Sequence, residues 1–259
     1  MESFVFRTES SFREQVVYEG LKWGDMLLRW MSGGISPQSV VAQRRAIMDF
    51  LVEEKIHAGI DQVVEIGSGF SDRGLRMSEK FSHVVYADSD LASVVEQRVQ
   101  RNMDFEAPAS HKLLVVNALL SEGSSSLREG LTPFISPHRP VLFVMEGLAN
   151  FLEGSDLRRL WQNIHQCLSE GAGGAFLSDY LLLESAQSNS SVSNFTKMWN
   201  QVFNHRIHFQ LPSADELRQT LLNVGFDSVA TYSPKEFYNL LSIPQFKSGD
   251  LLTIVDASQ

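Results

Sequence analysis

The sequence predicts an α/β protein: a largely parallel, Rossmann-like sheet covered by helices on both faces. Three observations carry that expectation. From residue 59 onward, short apolar runs alternate with stretches of helical periodicity, the rhythm of strand–helix–strand connections. VLFVM (Val141–Met145) is apolar without a break, as a strand buried on both faces must be. VVEIGSGF (Val63–Phe70) runs from β-branched residues into an acid and a Gly-x-Gly turn, and a helix-like segment follows at Asp72–Phe81.

Residues 1–58 show no strand pattern and read as an N-terminal helical cap over the main sheet. Phe12, Val16, Val17, Leu21, Leu27, Leu28 and Met31 recur at helical spacing, SGGISP breaks the pattern, and Gln38–Lys55 reads as a second helix. Trp23 and Trp30 are expected in the core or between cap and sheet. The remainder, residues 59–259, forms the core. Its strands are expected at Gln62–Ile66, His83–Ala87, Lys112–Val116, Pro140–Met145 and Ala175–Leu183. Helices are expected at Leu91–Asn102, weakly at Ser121–Leu131, and strongly at Ser155–Leu168, which opens on a Ser-Asp cap pair. Between residues 184 and 211 the rhythm stops. A polar stretch, SAQSNSSVSN, leads into Phe195, Met198, Trp199 and Phe203 at helical spacing. An insertion after the fifth strand lies over the ligand crevice of an open α/β sheet, so a lid or substrate wall is expected there. ADELRQTLLNVGF then reads as a helix stopped by Gly225, and Ser228–Tyr232 and Leu251–Val255 as antiparallel closing strands.

Composition excludes several classes. The 259 residues are 43% apolar with 17 Phe, enough for a sizeable core. A net charge of −9 argues against nucleic acid as the main partner. Cys167, the one cysteine, allows no intrachain disulfide and falls on a helical pattern, where a core role is expected rather than a nucleophilic one. No apolar run has the length of a membrane span, and the acidic N-terminus lacks a signal-peptide pattern. A soluble cytoplasmic protein is expected, with no membrane or metal partner; a homodimer is left open.

The glycine turn indicates a nucleoside-bearing cofactor. Glycine permits positive φ and close approach of a ligand, and the peptide N–H groups that open the following helix favour an anionic or polar group. About twenty residues on, VYADSD (Val85–Asp90) places acids where ribose hydroxyls are held. Dinucleotide enzymes use G-x-G-x-x-G. Here the turn reads Gly67-Ser68-Gly69-Phe70-Ser71-Asp72, without the third glycine and with Glu65 just before it.

VVEIGSGFSDRGLR, YADSDL and VLFVMEGLANFLE together resemble the leucine carboxyl methyltransferase family of S-adenosylmethionine-dependent enzymes, over about residues 43–152. The resemblance implies a class I methyltransferase sheet and S-adenosyl-L-methionine as cofactor. It implies that Gly67, Ser68 and Gly69, after Glu65, form the turn beneath the cofactor. Asp90, with Asp88 beside it, would hold the ribose, and Asn117 and Ala118 would flank the adenine. Glu146 would lie near the methionine end and Arg44 would pair with the cofactor's carboxylate. Arg73 and Arg76 match family arginines after the turn. Two positions depart from the family pattern: its Asp-Thr-Arg is Ser71-Asp72-Arg73, and the acid ending the third strand is Asn117.

Methyl transfer from a sulfonium is an in-line displacement, dominated by bringing donor and acceptor together. A hydroxyl acceptor also benefits from a base. Candidates are His205 and His208 in the insertion and Asp179 or Tyr180 at the fifth strand; no motif chooses among them. The expected activity is O-methylation of a small-molecule hydroxyl, with a polyketide-type product as the candidate acceptor. Methyl-ester formation on a carboxyl and a non-catalytic binding module are the alternatives.

Overall fold

In the computed structural model of the chain, the residues described are 37–101, 103, 106–184, 208, 211–246 and 249–259. The first expected helix, both N-terminal tryptophans, His205 and the bulk of the expected insertion lie outside them. Helix α1 spans Pro37–His57. The alternation that follows is β1 (Gln62–Ile66), α2 (Arg73–Lys80), β2 (Val85–Asp90), α3 (Ala92–Gln100), β3 (His111–Val115), α4 (Leu127–Leu131) and β4 (Val141–Met145). A 3-10 turn at Ala149–Phe151 leads to α5 (Gly154–Ser169), β5 (Gly174–Leu181) and α6 (Ala214–Val224). The chain ends with β6 (Ser228–Tyr232) and β7 (Leu252–Ser258).

The strands form one seven-stranded sheet in the order β3-β2-β1-β4-β5-β7-β6. β1 to β5 are mutually parallel, and β7 runs antiparallel between β5 and β6. The order reverses between β1 and β4, the switch point at which open α/β sheets bind ligands beyond the strands' carboxyl ends.

Period-two alternation explains the unbroken apolar strands. Val64, Val141, Phe143, Met145, Phe176 and Tyr180 face a core completed by Leu157, Leu160, Trp161 and Ile164 of α5 and by Leu217 and Leu221 of α6. Val63, Leu142, Val144, Ala175 and Leu177 face the opposite core, completed by Ile47, Met48, Leu51 and Val52 of α1 and Met77 of α2. The same alternation continues the second series into Glu65, Glu146 and Asp179. Three acids thus arrive on the face covered by α1 and α2, at the carboxyl edge of adjacent strands.

Several boundaries differ from the sequence reading. β2 starts and ends later than expected because its pairing with β1 and β3 runs from Val85 through Asp90, carrying Asp88 and Asp90 inside the strand. α4 begins only at Leu127, where Ser126 accepts a hydrogen bond from the Glu129 N–H; the serines before it form turns. β7 extends to Ser258 because its ladder with β5 reaches Ala175↔Ser258. No helix among the described residues is long and apolar enough to cross a membrane.

Candidate active site

Two guanidiniums, Arg73 buried and Arg44 half-buried, organise the carboxyl edge of the sheet. Arg73, the first residue of α2, is 1% exposed and meets three carboxylates. Its Nε donates to Asp49 of α1 at 2.6 Å, its Nη1 to Glu65 of β1 at 2.9 Å, and its Nη2 to Glu146. Arg44, about one turn before the middle of α1, donates to Glu146 at 2.9 Å and lies 3.5 Å from Asp179. Glu146 therefore bridges both arginines. The Tyr86 hydroxyl donates to the second oxygen of Glu65 at 2.8 Å, and the Gly147 N–H donates to Asp179 at 2.7 Å.

These partners set the charges. Burial works to raise the Glu146 carboxyl, but Arg44 and Arg73 together hold it down at about 2. For Glu65 burial prevails over Arg73 and the carboxyl is pushed up to about 7, with Asp88 and Glu146 adding to the rise. Burial also raises Asp179, against the pull of Arg44.

The glycine turn lies beside this cluster. Gly67 and Gly69 both have positive φ, 65° and 57°. At Gly69 nothing lies within 4 Å of where a Cβ would point, so the turn offers open space on one side. Asp90 ties the turn in place: one carboxylate oxygen accepts from the Gly69 N–H and the other from the Leu91 N–H, each at 2.8 Å. The Ser68 N–H donates to the Ser89 carbonyl.

The remaining sequence candidates fall in different places. Asn117 accepts from the Leu119 N–H at 3.1 Å, a local turn closing the loop after β3, and the Ala118 carbonyl accepts from Asn163. Asp88 needs correction. It is fully buried beneath the turn, where its carboxylate accepts from Arg98 and bonds His111, and so does not face a ribose. Tyr180 needs the same correction. Strand alternation turns it away from Asp179 into the α5 core, where its hydroxyl accepts from Trp161 Nε1 at 3.0 Å and burial pushes its pKa up. Burial likewise pushes the Cys167 thiol up to about 11, which suits the inert role expected of it. Arg76 lies at the surface between Asp72 and Asp49.

His208 sits at the carboxyl edge through its backbone. Its N–H donates to the Asn150 carbonyl, and its own carbonyl accepts from Asn150 Nδ2 at 3.0 Å. The same Asn150 side chain accepts from the Leu181 N–H and donates to the Leu181 carbonyl. Asn150 thus fastens the end of β5 and the return at His208 to the turn after β4. Asn150→Ala is expected to cost about 2 kcal/mol, because it leaves backbone groups of Leu181 without partners; chemical denaturation would measure it. Sequence reading singled out neither Asn150, Tyr86 and Asp49 nor Arg98 and His111. Only for Arg98 was there a signal, its place with Val94 and Val95 on one helical face.

A reversed seven-stranded order, a glycine turn after β1 and acids ending β2 and β4 define a class I methyltransferase fold. The family model for leucine carboxyl methyltransferases matches residues 12–165. That is more than half of the 259 residues, and the chain belongs to this family of S-adenosylmethionine-dependent enzymes. Solved structures agree on the fold. A candidate methyltransferase from Thermobifida fusca superposes with a TM-score of 0.66 at 10% identity, covering 90% of this chain and 85% of its own. Magnesium protoporphyrin IX methyltransferase (ChlM) from Synechocystis PCC 6803, solved with bound S-adenosylhomocysteine, gives 0.57 at 10% identity, covering 97% and 99%. PigF, also solved with S-adenosylhomocysteine, gives 0.56 at 12% identity. The chain covers 55% of PigF's length, and PigF covers 83% of the chain. No curated protein sequence matches the chain.

Proposed function

We propose that the protein transfers a methyl group from S-adenosylmethionine to a hydroxyl of a small molecule. The charge balance of the carboxyl edge supports this most: Asp49, Glu65, Glu146 and Asp179 surround Arg44 and Arg73. Acids outnumber guanidiniums, which suits a ligand bearing an ammonium and a sulfonium. The open space at Gly69 suits the close approach of that ligand to the backbone. PigF and ChlM, each solved with S-adenosylhomocysteine, support the same cofactor here.

The cofactor, when bound, supplies an electrophilic methyl group on a positive sulfur. Glu146, held ionised, attracts the cationic end, and Arg44 has a guanidinium able to exchange a carboxylate of the chain for that of the ligand. The glycine turn and Asp90 would hold the nucleoside end. A hydroxyl acceptor fits this edge better than a carboxylate, because Arg44 and Arg73 are each already engaged by at least two acids. An incoming carboxylate would have to displace an acid from a guanidinium it already holds. The acceptor's proton needs a base, and among the described residues His208, whose backbone is fastened beside Asn150, is the candidate that strand geometry does not turn away. Asp179 is committed to Gly147 and Arg44.

The test is methylation with isotopically labelled cofactor across small hydroxylated acceptors, followed by mild base. An ether keeps its label under base; a methyl ester releases it as methanol. Released methanol would favour the ester reading, which the family's description supports. Cofactor binding without transfer to any acceptor would leave a binding module.

A further inference from the structure

We propose that Arg98 is a positioning residue of the methyl-donor site, holding the glycine turn from beneath so that its open side faces the ligand. The inference rests on the cofactor reading above. Arg98 comes from α3, is fully buried, and lies on the same helical face as Val94 and Val95. Its Nη1 donates to Ser68 Oγ and to the Gly69 carbonyl, both at 3.3 Å. Its Nη2 donates to Asp88 Oδ2 at 2.9 Å, and His111 Nε2 lies 3.0 Å from the same oxygen.

Gly69 is consequently gripped at both peptide groups. Asp90 takes its N–H and Arg98 its carbonyl, which fixes the orientation of a residue at φ 57°. One helix turn further along α3's axis, Arg101 packs over the Phe70 ring at 4.7 Å, a second cation of the same segment on the same turn. Asp88 is wedged in turn: a Cβ on Gly74 would come within 2.6 Å of its Oδ1. The chain from His111 through Asp88 and Arg98 to Gly69 therefore has little room to relax. Burying a guanidinium carries a desolvation penalty that a merely space-filling residue avoids. An apolar side chain would fill the space between α3 and β2, but only a forked donor reaches Asp88, Ser68 and Gly69 together.

The full chain and its variants Arg98→Met, Arg98→Lys and Ser68→Ala would be compared by calorimetry with S-adenosylhomocysteine and by thermal melting. Arg98→Met is expected to weaken binding by about tenfold or more, given the strength of charged hydrogen bonds. Arg98→Lys should fall between it and the wild type, since an ammonium keeps the Asp88 pair but not the fork. Ser68→Ala removes one contact while the arginine stays, and should weaken binding about threefold without lowering the melting temperature appreciably. It carries the test should Arg98→Met fail to fold. Unchanged affinity in Ser68→Ala and in folded Arg98→Lys, whatever their melting temperatures, would overturn the inference while leaving the cofactor assignment intact. No binding by the wild type would instead overturn both.

Discussion

Replacing Glu146 by glutamine is expected to weaken S-adenosylmethionine binding about 100-fold, roughly 3 kcal/mol, and to weaken S-adenosylhomocysteine binding much less. Both ligands carry an ammonium and a carboxylate, and only the first carries a positive sulfur. Glu146 is the carboxylate shared by Arg44 and Arg73, and those partners keep it charged despite burial. Its removal turns the balance among Asp49, Glu65, Glu146, Asp179 and the two arginines from acidic excess toward neutrality, which penalises the more cationic ligand. Calorimetry with the two ligands in parallel separates this from a packing effect. Equal losses for both would show that Glu146 does not sense the positive sulfur.

The largest loss of stability is expected for Arg73→Met, about 3–5 kcal/mol, the cost typical of stranding buried charges by removing their partner. Arg73 answers Asp49, Glu65 and Glu146 at once and is 1% exposed. The deficit should depend on pH in a defined sense. Glu65 already has a folded value raised from 4.5 to about 7, so the folded state holds its proton more tightly than the unfolded chain. Its contribution is complete below about pH 4.5 and is lost as pH rises through about 7. Glu146 has the opposite sign: its folded value is lowered to about 2, so its contribution is present above 4.5 and lost as pH falls toward 2. Without Arg73 both carboxyls take up protons more readily, and protonation neutralises the stranded charge. The gap between variant and wild type should be widest near pH 8 and narrower near pH 5. Denaturation curves at those two values test this, and a gap that widens on acidification would refute the assignment. In the Glu65→Gln variant, the fall in stability between pH 4.5 and 7 attributed to this group should disappear.

Local chemistry makes part of this protein legible in its sequence. The Gly67–Gly69 turn, the apolar strands and the acids at positions 65, 90 and 146 announce themselves because a parallel strand needs continuous apolar side chains and a tight turn needs positive φ. Helix α6 is similarly explicit, with Ser213 capping the Glu216 N–H and Gly225 at φ 131° ending it. Asp88 and Asp90 look equivalent in a string. The structure separates them, since β2 continues to Asp90 and leaves Asp88 inside, facing Arg98 and His111, while Asp90 reaches the Gly69 N–H. Asp179 and Tyr180 look equally suited to act as a base until strand alternation sends one to Arg44 and the other to Trp161.

The alternation of strands and helices, the glycine turn and the residue types that end the strands can be read along the chain. These depend on a residue and its near neighbours. Folding alone brings Arg44 and Asp49 from α1, Arg73 from α2, and acids from β1, β4 and β5 into one largely buried cluster. Their separations along the chain reach 135 residues, as between Arg44 and Asp179. The placement follows from sheet order and from which face each strand presents to α1 and α2. The pairing of buried charges is a property of that packing, because a carboxylate's partner and its charge are fixed by what lies within hydrogen-bond reach in space.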